Sequence, residues 1–427
     1  MQNLNKFKQI IERLEICDKR FIDFKNKYLV NNSLKDVLFK FKINNEKYID
    51  YVLFNAFLCV NKIFSNNIPS IVYNLIKNIK EENILMLLNG NIIYNNCLEK
   101  RCSSFVKFSE LDQEYIKNYL FTSFDLTDDV AIFLNSLTFN DICVVLLPKN
   151  TKSYKLNLMN ISYALNNNIG LSSRILIIVG KNSSLDLIET ELGFFNKNYI
   201  SNVVCEIFLD ENSTLNHTKI INGDYTSLHL SNIFINQQVN SFYKLHQLSY
   251  KGCYINNNIN VNLLGKRSYC EINGLDLASD VQYIKNVIRI NHLVGNCKSK
   301  QLFKGIYTDK ALGVFNGNIF VDAKSEGTNA SQINKSILLS EDCDFMSNPN
   351  LKINADDVKC SHAATIGRFN KNELFFLRSR GLSVKEANFL LAKFFVSDVL
   401  CFKQDNKLKA IIIKKVNNWM NNNLLRI

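Results

Sequence analysis

From about residue 131 to about residue 366 the chain offers almost no helical signal, only short apolar runs separated by polar turns. Segments 142–147, 175–179, 203–208 and 255–264 are such runs, the last alternating at Ile259, Val261 and Leu263. Alternation with a period of two is the mark of a strand with one buried face. Many short strands in succession over about 200 residues leave a solenoid, a sandwich or a propeller as the architecture. A parallel β-helix suits the pattern, because its coils need only short strands and polar corners, and asparagine tolerates the left-handed backbone that corners require. Periodicity alone does not choose among the three.

The flanks read differently. Ile10, Ile11 and Leu14, then Val52, Leu53, Ala56, Phe57 and Val60, stand at helical spacing, which predicts a mainly helical N-terminal region over 1–130, ahead of a β core over 131–369. The helical period returns in a C-terminal region over 370–427. Ser383 and Glu386 have the spacing of a capping box, and Ala387, Leu390, Leu391, Phe394 and Phe395 behind them predict one apolar face. Leu408, Ile411, Ile412, Val416, Trp419 and Met420 make a last amphipathic segment, to dock on its own domain or to receive a partner.

With 427 residues, 47% of them hydrophobic, the chain can bury a large core. The formal charge of +12 suits an anionic partner. No aromatic-interleaved basic stripe or zinc-finger spacing accompanies it, so nucleic acid is not expected as a partner. Abundant Asn, Lys and Ile read as a coding bias, and asparagine runs such as 256–258 and 421–423 carry no functional weight. No apolar run reaches the roughly 18 residues of a membrane span, and the polar N-terminus lacks the form of an export signal. The expectation is a soluble protein of the cytoplasm or an organellar stroma, with no membrane partner. Its twelve cysteines include no C-x-x-C pair and read as reduced thiols.

Enzyme signatures fail one by one. Gly265-Lys266-Arg267-Ser268 has Asn260 where a phosphate loop needs its first glycine, Gly180-Lys181 fails likewise, and neither G-x-S-x-G nor H-E-x-x-H occurs. What remains is the segment 355–365, with Cys360 and His362 two apart. In a strand such a pair shares one side, so thiolate and imidazole could address one metal or one partner surface. Two ligands do not complete a tetrahedral site, and the others must come from elsewhere. The plain alternative is a buried thiol beside a hydrogen-bonded histidine.

The run Ala355-Asp356-Asp357-Val358-Lys359-Cys360-Ser361-His362, followed by Ala364-Thr365, resembles the signature of the SufD branch of the SufB/SufD family of iron-sulfur cluster assembly scaffolds. The likeness is colinear through Gly313-Val314-Phe315-Asn316-Gly317, Ser336-Ile337-Leu338-Leu339-Ser340 and the segment 373–381, and it reaches back to Ser173-Arg174-Ile175-Leu176-Ile177 and to 131–135. SufB sequences usually carry a His-Glu pair near the place where this chain has Cys360-Ser361-His362.

The resemblance implies a mostly β fold, a right-handed parallel β-helix flanked by helical N- and C-terminal domains. It also implies a non-catalytic scaffold that pairs with a SufB-like subunit through the β-helices and engages a SufC-like ATPase through C-terminal helices, where Phe375, Arg378, Arg380 and Phe394 are the candidate contacts. His362 matches the family's histidine implicated in cluster formation, Cys360 matches its cysteine, and a transient iron-sulfur cluster would be shared with the partner. Reduced FAD is suggested for the complex. Ala363 stands where the family usually has glycine, Lys352 where glutamate is common, and Ser173 where a proline often precedes the arginine; alanine resists positive φ. Two rival readings are a purely structural subunit and a carbohydrate-active β-helix enzyme using Asp356 and Asp357.

Overall fold

The computed structural model describes residues 69–78, 83–96, 118–124, 129–139, 141–163, 169–194, 199–400 and 406–424. The helical spacing noted at 10–14 and 52–60 falls outside these residues. Helix α1 (Ser70–Asn78) and a hairpin of β1 (Ile84–Leu88) and β2 (Asn91–Asn95) come first, then helix α2 (Val130–Thr138). Sixteen strands follow: β3 (Ile142–Leu147), β4 (Tyr154–Tyr163), β5 (Ile169–Val179), β6 (Ser184–Phe194), β7 (Tyr199–Leu209), β8 (Thr214–Asn222), β9 (Leu228–Gln237), β10 (Phe242–Lys251), β11 (Tyr254–Leu263), β12 (Tyr269–Ala278), β13 (Tyr283–His292), β14 (Lys298–Tyr307), β15 (Leu312–Val321), β16 (Thr328–Leu338), β17 (Asp344–Ile353) and β18 (Val358–Gly367). Helices α3 (Lys371–Arg378), α4 (Val384–Val396) and α5 (Asn406–Leu424) close the chain.

Successive strands alternate between two sheets. One runs in the order β18-β16-β14-β12-β10-β8-β6-β4-β1-β2 and the other β17-β15-β13-β11-β9-β7-β5-β3. All neighbours pair in parallel except β1 with β2. This is a parallel β-solenoid of about seven turns, so of the three architectures left open by periodicity the first is the one formed.

The sequence explains the coil. Ile255, Ile259, Val261 and Leu263 point inward from β11 (Tyr254–Leu263) and stack in register on Ile284, Ile288, Ile290 and His292 of β13 (Tyr283–His292). Such columns from both sheets form one continuous core, each fully buried aliphatic contributing about 1.5–3 kcal/mol. Corners use the left-handed backbone: Asn150, Asn182, Asn212 and Asn240 have φ of 64°, 57°, 57° and 55°. Their side-chain amides form a ladder, Asn182 to Asn150 at 3.1 Å, Asn212 to Asn182 at 3.1 Å and Asn240 to Asn212 at 3.0 Å. Asparagine is thus structural at these positions, whatever bias supplied it.

The two outer faces are covered unequally. On the sheet that holds β18, Ile220, Leu248, Leu275, Leu277 and Ile306 pack against Ala392 and Val396 of α4 and Ile412, Val416, Trp419 and Met420 of α5. Lys304 clasps the junction: its ammonium donates to the Phe395 carbonyl at 2.6 Å and pairs with Asp398 at 2.6 Å. The last amphipathic segment therefore docks on its own solenoid. Helix α4 departs from the expected face, because its buried residues are Ala387, Ala392 and Val396, while Phe394 is 67% exposed. The sheet face it meets selects that side of the helix, which periodicity within the helix could not reveal. The capping box is present, with Ser383 Oγ accepting from Glu386 N at 3.2 Å and the Glu386 carboxylate accepting from Ser383 N at 2.8 Å.

Candidate functional site

Strand β18 ends its sheet. It pairs with β16 (Thr328–Leu338) on one side, Ala330 facing Cys360, Gln332 facing His362, Asn334 facing Ala364 and Ser336 facing Ile366. On its other side no described strand follows. Strand β17 ends the second sheet in the same way. Among the described residues the solenoid therefore presents two uncovered strands and the open mouth of its last coil together.

The inward columns change character at this mouth. Ala330, Gln332, Asn334 and Ser336 on β16 are buried. One coil further, on β18, His362, Ala364 and Ile366 are exposed and Cys360 is half-buried. Cys360 and His362 sit two apart on one strand, on the side that deeper coils turn toward the core. Cys360 packs with Ile319, Val321, Ala330 and Ala355. Burial pushes its thiol pKa up, against a backbone hydrogen bond at Ala330 that lowers it, so the sulfur is held as thiol until a cation or metal draws off its proton. His362 forms no side-chain hydrogen bond with another described residue. Ala363 lies within the strand opposite Ile333 and outside the residues of positive φ, so alanine fits where glycine was expected.

Asp356 and Asp357 lie exposed in the bend before β18, and the Asp357 carbonyl accepts from Gly327 N at 2.7 Å. Among the described residues no group of three or more His, Cys, Asp or Glu side chains could hold a metal ion. Cys360 and His362 are side chains of the soft and borderline types that can ligate a metal, and they share one side of β18. A groove of about 650 Å³ on the outer face of β13, β15 (Leu312–Val321) and β17 is lined by Lys285, Arg289 and asparagines, with no aromatic wall for an isoalloxazine ring.

The C-terminal candidates lie on α3, just after it and on α4, two helices that pack against each other. Helix α3 has no buried residue, and Phe375 is 74% and Phe376 55% exposed. Arg378 is exposed, and the Arg380 guanidinium lies 3.6 Å over the Phe376 ring. Apolar rings this open on a helix without a buried face are the anatomy of a contact surface.

Residues 163–395 match the core domain described as SUF system FeS cluster assembly, SufBD core domain. The chain belongs to the SufBD family. An iron-sulfur cluster assembly SufBD family protein of Synechocystis is 29% identical over 311 residues, 70% of this chain and 68% of that protein. The chloroplastic protein ABCI7 of Arabidopsis thaliana is 30% identical over 231 residues, 53% of this chain and 48% of its own. The Escherichia coli iron-sulfur cluster assembly protein SufD is 30% identical over 207 residues, 48% of each chain. Against these last two relatives the match spans about half of their length. SufBD membership agrees with the solenoid, and among the described residues no helix is long and apolar enough to cross a membrane.

Sequence reasoning singled out Cys360 and His362 but not their setting at the end of the solenoid. The open mouth and the interior amides beneath it were missed. Their signal was the coil period: Ile272, Gln301, Gln332 and His362 recur about thirty residues apart on one column.

Proposed function

We propose that this chain is a SufD-type, non-catalytic subunit that contributes His362 and Cys360 to a transient iron-sulfur cluster completed by a SufB-like partner. The observation that carries the reading is the placement of both side chains at the uncovered mouth of the solenoid, on a strand with a free edge. A partner that adds its own strands to β17 and β18 would bring its ligands to this mouth. The cluster is cargo here, held only while both subunits are docked. His362 ligates through a ring nitrogen that carries no proton.

The exposed rings of Phe375, Phe376 and Phe394, with Arg378 and Arg380, are the surface proposed for a SufC-like ATPase. ATP hydrolysis resides in that partner, and α4, clasped to β14 (Lys298–Tyr307) through Lys304, carries its motion to the solenoid.

The test is His362→Ala, assayed with the SufB- and SufC-like partners. The complex forms normally, because the side chain is exposed and bears no packing, while cluster assembly is lost. Assembly at the wild-type rate would refute the ligand role and leave a purely structural subunit.

A further inference from the structure

The interior column that ends at His362 is built of amides. Gln301 of β14 pairs in register with Gln332 of β16, and Gln332 with His362. Both glutamines are buried. Gln332 Nε2 donates to the Gly317 carbonyl of β15 at 3.4 Å. Its Oε1 has no hydrogen-bond partner, and neither does either amide atom of Gln301. Native interiors seldom leave such groups unpaired, since burial takes away their water without replacing the hydrogen bond. A buried acceptor next in column to an imidazole has a direct complement, the ring N–H.

Gly317 explains why the amide rests where it does. A Cβ at that position would lie 2.3 Å from Gln332 Nε2 and 2.6 Å from its Oε1. Only glycine leaves room for the Gln332 head group against β15, and this gives the G-V-F-N-G run at 313–317 a purpose that the ligand reading alone does not.

We propose that Gln332 is a positioning residue for His362: the two do not bond in the structure, and a turn of the exposed imidazole toward the column lets Gln332 Oε1 accept a ring N–H, which fixes the tautomer and leaves the other nitrogen toward the open mouth. The Gly317 carbonyl holds that amide from the facing sheet. This rests on His362 being the ligand proposed above. Histidine ligands ordinarily have their second nitrogen held by such a partner, and its loss lowers affinity or activity about 10–100-fold.

The chain has five histidines, and the other four, His217, His229, His246 and His292, are buried. Heteronuclear NMR of the imidazole nitrogens in the full-length protein thus distinguishes His362 and keeps four internal reporters of the fold. The expected wild-type signal is a single dominant tautomer. Gln332→Met, which keeps the volume without an amide, and Gly317→Ala, which displaces the amide, each give the mixed tautomer of a free imidazole; Gln332→Glu restores one tautomer. With the partners present, Gln332→Met lowers the assembly rate at least tenfold and Gln332→Glu recovers it in part. Unchanged His362 nitrogen shifts in both Gln332→Met and Gly317→Ala, with the four buried signals intact, overturn the proposal. Wild-type assembly by His362→Ala would instead sink the ligand reading, while the tautomer measurement still judges the Gln332 contact.

Discussion

His292 sits inside the solenoid with Nε2 2.9 Å from Ser299 Oγ and Nδ1 without a partner, and burial lowers its pKa to about 4. The unfolded imidazole titrates near 6.5, so the unfolded chain binds the extra proton between these values. Its contribution to stability is present above about pH 6.5 and is lost as pH falls toward 4. Asp276 acts in the opposite sense. Burial raises its carboxyl to about 7 against hydrogen bonds from Asn286, Ser249 and Tyr307. Its folded value lies above the unfolded one, so that stability is present below about pH 4 and is lost as pH rises through about 7. In urea unfolding across pH, His292→Gln therefore gains on the wild type by about 1.4 kcal/mol per unit as pH falls from 6.5 to 4. Asp276→Asn gains by a similar slope as pH rises from 4 to 7. Parallel curves for either variant and the wild type would contradict the assignment.

At the scale of elements, α2 is held by polar groups that the sequence separates widely. Asn135 Nδ2 donates to the carbonyls of Ser173 at 3.0 Å and Asn202 at 2.9 Å, and Asn202 Nδ2 returns a bond to the Ala131 carbonyl at 2.6 Å. Arg174 is fully buried beneath this helix, paired with Glu206 at 2.5 Å and faced by the rings of Phe121 and Phe124 at 4.4 and 5.1 Å. The segments 131–135 and 173–177, which the resemblance joined by likeness, are thus joined in space. Arg174→Met leaves the Glu206 carboxylate buried and unpaired, and chemical denaturation should show a loss of about 3–5 kcal/mol. The double change Arg174→Met with Glu206→Gln should recover much of it, and a loss no smaller than that of the single variant would show that the ion pair is not the cause.

The whole molecule is a stack in which each coil covers the one before it, and its end is where that rule stops. The two uncovered strands are not equivalent. Pro349, in the middle of β17, has no N–H to offer an added strand, whereas β18 contains no proline. Partner pairing is therefore expected chiefly along β18. Lysine on a free edge opposes such pairing while leaving an exposed strand folded. Ala364→Lys should weaken association with the SufB-like partner at least tenfold, measured by calorimetric titration, with an unchanged thermal midpoint for the chain alone. Undiminished association would place the interface elsewhere.

The sequence by itself determined the strand-rich core, the capping box at Ser383 and the placing of Cys360 and His362 on one side of a strand, because alternation and capping are local and each needs only a few neighbouring residues. Tertiary structure decided which face of α4 is buried, that Phe394 points outward, and that Gln301, Gln332 and His362 form one column. Those facts depend on the register between strands about thirty residues apart, and register is set by the packing of whole coils rather than by any single segment.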